Sequence, residues 1–370
     1  MKKKIAVLPG DGIGPEVIKQ TIKVLDTIAN RFGHHFTYHQ AMVGASAIDK
    51  TGDPLPQRTL DICLDSDAVL FGAIGDPKYD NNPNAKVRPE EGLLRLRKNL
   101  ELFTNIRPVR TYKSLIDHSP LKADRIKGTD LVVYRELTGG IYFGEKGRSE
   151  DGESAYDHCV YSVEEIDRVA KMAFEAAMKR RKKLTLIDKA NVLETSRLWR
   201  QTVQTIALSY PEVETEYLFV DNAAMQIILR PNQFDVILTE NMFGDIISDE
   251  SSVITGSIGL LPSASIGEKS ALFEPIHGSY PQAAGKDIAN PIAAILSAAM
   301  MLEHFGLHEE SKLINENVEH IIDKGLVTPD LDPHNFISCS KVGDVLSLLL
   351  DLNVSDVRFE NMFEGKLPVI

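Results

Sequence analysis

Short apolar runs recur along this chain, each stopped by glycine, proline or a polar turn: Ile5-Ala6-Val7-Leu8, Val69-Leu70-Phe71, Leu131-Val132-Val133, Leu184-Thr185-Leu186-Ile187 and Val236-Ile237-Leu238. Runs this short, bounded by turn residues, read as buried strands. Between them apolar residues fall at helical spacing, as in Val17, Ile18, Ile22, Leu25 and Ile28, or Ile166, Val169, Ala170, Ala173 and Ala177. Ser162 and Glu165 precede the second stripe as a capping-box pair, which marks a helix start. Strands alternating with helices predict an α/β protein with a largely parallel sheet.

Residues 102–109 read as a further strand closed by Pro108, and residues 90–100 as a helix. Another helix carries Val192, Ser196, Trp199, Val203 and Ile206, and two more are expected over residues 288–301 and 342–352. Residues 359–370 form an irregular tail with no assigned role. The charged stretch 145–153, between Tyr142 and Tyr161, predicts a hairpin or projecting arm. Such an arm is marginal alone and would be stabilised by pairing with its twin across a dimer axis.

The first strand runs into Gly10, Gly12 and Gly14, with Pro15 set for the first helical turn. This is not a Rossmann fingerprint: the third glycine spacing is absent, and no acidic residue closes a second strand about 20 residues on. The polar loop 76–89, with Pro77, Pro83 and Pro89, has the character of a functional loop.

Composition narrows the class. With 370 residues, 43% apolar and 25% charged, the chain suits an ordinary globular protein of two domains. A net charge of −12 opposes unspecific nucleic-acid binding, so an anionic substrate needs a local cluster of arginine or lysine. Cys63, Cys159 and Cys339 lie far apart, which fits reduced thiols in a cytoplasmic protein. The apolar run after Met1-Lys2-Lys3-Lys4 is too short for a signal core or a membrane span.

The chemistry concentrates in Val220-Asp221-Asn222-Ala223 and Asn241-Met242-Phe243-Gly244-Asp245-Ile246-Ile247-Ser248-Asp249. Asp245 and Asp249 are four apart, so on a helix their carboxylates share one face. With Asp221 they offer hard oxygens suited to Mg²⁺ or Mn²⁺; the plainer alternative is a solvated acidic face.

These blocks, with Glu274-Pro275-Ile276-His277-Gly278-Ser279, resemble the isocitrate/isopropylmalate dehydrogenase family of β-decarboxylating dehydrogenases, from Lys4 to at least Glu303. The resemblance implies a two-domain isopropylmalate dehydrogenase-like α/β fold that is not a Rossmann fold. A cofactor domain would take residues 1–102 and 258–370, and a central domain, residues 103–257, would carry the arm, the metal site and the dimer contacts. It further implies a homodimer whose Lys189 and Asp221 enter the neighbour's site.

By the same resemblance, Arg97, Arg107 and Arg135 match the substrate arginines, whose planar forks suit carboxylates. Lys189 matches the base, Tyr142 the acid that protonates the enol carbon, and Asp221, Asp245 and Asp249 the metal ligands. Cofactor contacts fall on Ile13, Glu90, His277, Gly278, Ser279, Gln282, Gly285 and Asn290. Relatives that use NAD place an aspartate where Gln282 stands, and the NADP-type Lys-Tyr pair is also missing; NAD⁺ is expected because no cation is evident for a 2′-phosphate. Leu93 and Leu94 would form an apolar wall for an isopropyl group while Glu90 repels a third carboxylate, selecting 3-isopropylmalate over isocitrate. The implied reaction is oxidative decarboxylation of 3-isopropylmalate to 4-methyl-2-oxopentanoate and CO₂ in leucine biosynthesis. Alternatives are tartrate, malate or homoisocitrate as substrate, or a non-catalytic regulatory subunit.

Overall fold

The computed structural model describes residues 1–80 and 86–352. Part of the 76–89 loop and the tail at 359–370 therefore lie outside the described residues. Among the described residues, ten strands form one sheet: β1 (Lys2–Gly10), β2 (His35–Gln40), β3 (Ala68–Ala73), β4 (Thr104–Arg110), β5 (Asp130–Glu136), β8 (Lys183–Asp188), β9 (Glu214–Phe219), β10 (Val236–Thr239), β11 (Pro262–Ile266) and β12 (Ala271–Pro275). The remaining two, β6 (Lys146–Arg148) and β7 (Ala155–Asp157), pair only with each other.

The sheet order is β2-β1-β3-β12-β11-β4-β5-β10-β8-β9. Pairing is parallel within β2-β1-β3-β12 and within β5-β10-β8-β9, and antiparallel where β11 and β4 join them. Three successive antiparallel pairings make the two parallel wings run in opposite senses. The expectation of a largely parallel sheet holds, with an antiparallel centre that the alternation of elements did not foretell.

Ile5, Ala6, Val7 and Leu8 are fully buried because helices cover both faces of β1. The glycine turn after β1 leads into the helix Gly14–Phe32, which carries Pro15 in its first turn. Ser162 accepts from the Glu165 amide at 3.2 Å and Glu165 accepts from the Ser162 amide at 2.7 Å, so the capping box forms at the start of the helix Val163–Lys179. Two sequence expectations shift. Pro108 lies inside β4 rather than closing it; β11 pairs only with residues 104–106, so the missing amide there breaks no bond to β11. Val192 stands before its helix, which begins at Glu194, and is exposed.

One core cluster joins both chain ends, from Ile5 and Ile18 to Ile295, Ile314 and Leu346. Another is drawn from the middle of the chain, from Val132 through Ile166 and Trp199 to Leu238. The arm is a hairpin of three residue pairs, and every residue of β7 is exposed.

Candidate active site

The site grows from one face of the antiparallel centre. Side chains alternate along a strand, so Asn105 and Arg107 of β4 emerge on the same face, beside Arg135 of β5, which pairs opposite Asn105. The helix Asn241–Ser252 lies over them. Its first turn is held by Glu240, whose carboxylate accepts from the Phe243 amide at 2.7 Å.

Asp245 and Asp249 do share a helix face, and that face meets the arginines. Arg107 donates to Asp249 at 2.7 Å and stands 3.6 Å from Asp245, while Arg135 forms a short ion pair with Asp245. Arg135 is 4% exposed, and burial, then neighbouring Arg107, pull its pKa down to about 10 against the opposing pull of Asp245. It therefore stays charged at neutral pH. A cationic pocket is thus built into an acidic protein, and its charges are balanced by carboxylates on the helix above.

Residues to which the sequence pattern gives no individual role hold this arrangement. Asn241 accepts from two nitrogens of Arg135, at 2.8 and 3.1 Å, and donates to the Gly139 carbonyl at 3.1 Å. Asn105 accepts from Arg107 at 2.7 Å, and Ser248 does so at the same distance. Gly244 explains itself by approach: a Cβ there would stand 2.6 Å from Arg135 Cγ. Asn241 and Gly139 together fix the turn that carries Tyr142, whose hydroxyl donates to Asp245 at 3.1 Å. Burial first, then Asp245, raises the Tyr142 pKa, so the phenol keeps its proton at neutral pH.

Arg97, on the helix Pro89–Asn99, reaches Glu274 at 2.8 Å, and its buried Nε has no hydrogen-bond partner among the described residues. It lines a cavity of about 140 Å³ together with Arg107, Leu93, Glu274, His277 and Gly278. Leu93 is half-buried there, whereas Leu94 is exposed and lies off this wall. The cavity joins two expected substrate arginines to the expected cofactor loop. His277 contributes a second buried, unpartnered atom, Nε2, and burial lowers its pKa, which keeps the ring neutral.

The cofactor residues fall together in part. The Ile13 amide donates to the Ser279 carbonyl at 2.8 Å, and the Gly285 amide bonds Glu16, so the glycine turn and the loop 277–290 are knitted into one surface. Gly12 has φ 55°, and a Cβ there would meet the Ser279 carbonyl oxygen at 1.9 Å. Exposed Glu90 lies beside Gly75, whose Cβ would come within 2.9 Å of its carboxylate. Gln282 is exposed. Asn290 is buried and engaged, donating to Asp330 at 3.1 Å and accepting from the Ile292 amide at 3.0 Å.

Lys189 and Asp221 follow the carboxyl ends of β8 and β9 and pair with each other at 2.7 Å. The three aspartates do not converge within one chain: among the described residues, only Glu16, Asp287 and Cys339 bring three metal-ligating atoms within 4.8 Å of one another. Asp245 and Asp249 still offer the donor chemistry a hard divalent cation takes, and Asp249 is largely exposed, with its side chain at 65%.

Residues 4–346 match the isocitrate/isopropylmalate dehydrogenase family. The chain is 57% identical to a 3-isopropylmalate dehydrogenase of Bacteroides fragilis over 331 residues, covering 90% of this chain and 93% of the relative. It is 54% identical to one from Aquifex aeolicus over 348 residues, covering 93% and 94%. The chain belongs to the isocitrate/isopropylmalate dehydrogenase family. Solved structures agree in shape: an isocitrate dehydrogenase from Methylococcus capsulatus superposes with a TM-score of 0.85 at 33% identity, covering 94% of this chain and 99% of that one. A β-decarboxylating dehydrogenase from Thermococcus kodakarensis gives 0.79 at 34%, covering 99% of each. The protein is therefore a dehydrogenase, and the expected α/β architecture of the isocitrate/isopropylmalate dehydrogenase family is the one it has. No helix among the described residues is long and apolar enough to cross a membrane.

Proposed function

We propose that the enzyme oxidises 3-isopropylmalate with NAD⁺ and releases CO₂, yielding 4-methyl-2-oxopentanoate in leucine biosynthesis, with Mg²⁺ or Mn²⁺ as the metal. The observation that carries the substrate is the shared cavity: half-buried Leu93 lines the same wall as Arg97 and Arg107, setting apolar surface beside carboxylate-binding cations. An isopropyl group fits the Leu93 surface, which offers a third carboxylate no hydrogen-bond partner. The relatives named 3-isopropylmalate dehydrogenase support the same reading.

Arg97, Arg107 and Arg135 would grip the substrate carboxylates in place of the acids they now face. Asp245 and Asp249, joined by Asp221, would hold the metal, and Lys189 would take the hydroxyl proton. Tyr142, whose raised pKa keeps its proton available, would deliver that proton to the enol carbon. When bound, the divalent ion lowers the hydroxyl pKa and offsets the charge left as CO₂ departs, and the nicotinamide accepts the hydride.

The shared site needs a second copy. Met225, Ile228 and Leu229 on the helix Val220–Leu229, and Ile246 and Val253 at the neighbouring helix Asn241–Ser252, leave large apolar side chains exposed. An apolar face of this kind favours burial against its twin. Such pairing would bring one chain's Asp221 helix to the other chain's Asp245 helix. The core that joins both chain ends, though it also takes in Tyr112 and Leu115, and the core drawn from residues 132–238 support a cofactor domain of residues 1–102 with 258–370 and a central domain of 103–257. Three free cysteines suit a cytoplasmic setting.

Specificity constants for 3-isopropylmalate, isocitrate, tartrate and malate, each with NAD⁺ and NADP⁺, test the proposal. It expects 3-isopropylmalate with NAD⁺ to dominate. A preference for another acid overturns the substrate, and NADP⁺ winning overturns the coenzyme.

A further inference from the structure

Behind the active site, on the other face of the same strands, lies a second and larger cavity of about 480 Å³. Strand alternation explains the division. Arg107, Arg135, Ser263 and Glu274 face the catalytic side, while their neighbours Ile106, Tyr134, Ala264 and Phe273 line the rear cavity. Its other walls are Met172, from the centre of the chain, and Leu296 and Met300, from the carboxyl-terminal part. Its size and apolar lining fall in the range of small-molecule sites.

Arg110 gives this cavity its chemistry. It lines the cavity, and its buried Nη2 has no hydrogen-bond partner among the described residues; its ion-pair partner, the Glu319 carboxylate, stands 3.7 Å away, beyond hydrogen-bond range. Its guanidinium stacks 4.6 Å from the ring centre of Tyr112, another lining residue, which holds the fork in place. Lys179 adds a second cation, whereas the lining carboxylate, Glu303, is engaged by His308 at 2.7 Å. A buried guanidinium nitrogen that has an ion-pair partner but no hydrogen-bond acceptor keeps a donor that a closer carboxylate would satisfy.

We propose that the rear cavity binds a small amphipathic monocarboxylate, with its apolar body against Tyr134, Phe273 and Met300 and its carboxylate on Arg110. Because β4, β11 and β12 each contribute to both cavities, and β5 sets Tyr134 in the rear one beside Arg135 on the other face, the occupant rests on the strands that carry Arg107 and Arg135.

Calorimetric titration of the full-length protein with 3-phenylpropanoate tests this, with the uncharged 3-phenylpropanamide as control. The carboxylate binds, the amide binds at least about tenfold more weakly, and Arg110→Met weakens the carboxylate by about tenfold, the scale of one charge-assisted contact. Met300→Trp, which fills the cavity from a half-buried position, also weakens binding, while Arg107→Met leaves it intact. Equal binding of acid and amide, unchanged affinity in Arg110→Met, or no binding of the acid overturns the proposal. Loss in Arg107→Met with retention in Arg110→Met overturns it too, by assigning the acid to the catalytic cleft.

Discussion

Gly244→Ala is a small change with a large expected consequence. The new methyl would stand 2.6 Å from Cγ and 2.8 Å from Cβ of Arg135, closer than real Cβ contacts allow. Arg135 cannot swing aside cheaply, because Asn241 holds two of its nitrogens and Asp245 a third. Overpacking of this kind costs about 1–3 kcal/mol. Alanine in place of glycine inside a helix returns about 1 kcal/mol, so the net loss of stability is roughly 0–2 kcal/mol. The guanidinium, however, must shift, and displacement of a substrate-positioning group by about 1 Å can cost about 100-fold in rate. The predicted signature is a split: kcat/KM falls about 100-fold, equivalent to about 2.7 kcal/mol, while thermal unfolding moves by only a few degrees. Coenzyme-reduction kinetics and calorimetric melting of the same sample read both. Unchanged kcat/KM in a folded Gly244→Ala protein would refute the assignment of Arg135 and the reason given for the glycine.

Three further outcomes are expected. Tyr142→Phe should lower kcat by about 10²–10⁴-fold with little change in melting, since Tyr142 is 40% exposed; because its pKa is raised, the wild-type rate should not lose its acid below about pH 10. Leu93→Ala should raise KM for 3-isopropylmalate about tenfold or more, while Leu94→Ala, on the exposed side, should leave it within about twofold; equal effects would contradict the cavity wall assigned to Leu93 alone. Mixing inactive Lys189→Met with inactive Asp245→Asn should restore about a quarter of wild-type activity, because half the dimers are mixed and each has one intact site. Activity that stays at zero after verified subunit exchange would remove the shared site.

How much of this was legible in the sequence depends on the range of the interaction. The Asp245–Asp249 face was readable because helical period alone decides it, and the capping box at Ser162 because its partners are three residues apart. The core strands β1, β3, β8 and β10 were visible as apolar runs because both their faces are covered. By contrast β11, Pro-Ser-Ala-Ser-Ile, is wholly buried although two of its five residues are polar. Its two serines are satisfied by neighbouring strands, Ser263 donating to the Glu274 carbonyl and Ser265 accepting from Asn105, contacts that no period reveals. The strands β2 and β9 lie at the sheet edges, where charged and polar residues are tolerated. Asn241 and Asn105 drew no role from the sequence because each is an ordinary amide until the fold sets an arginine against it, in one case across 106 positions of sequence. Arg97, Arg107 and Arg135 became legible only through family resemblance, since a lone arginine in sequence is usually a solvated charge.

The account stands most directly on the products. Purified protein given 3-isopropylmalate, NAD⁺ and Mn²⁺ should form NADH, CO₂ and 4-methyl-2-oxopentanoate in equal amounts, and removal of the metal by a chelator should stop all three together. NADH without CO₂, or equal turnover in the chelator, would contradict the proposed reaction.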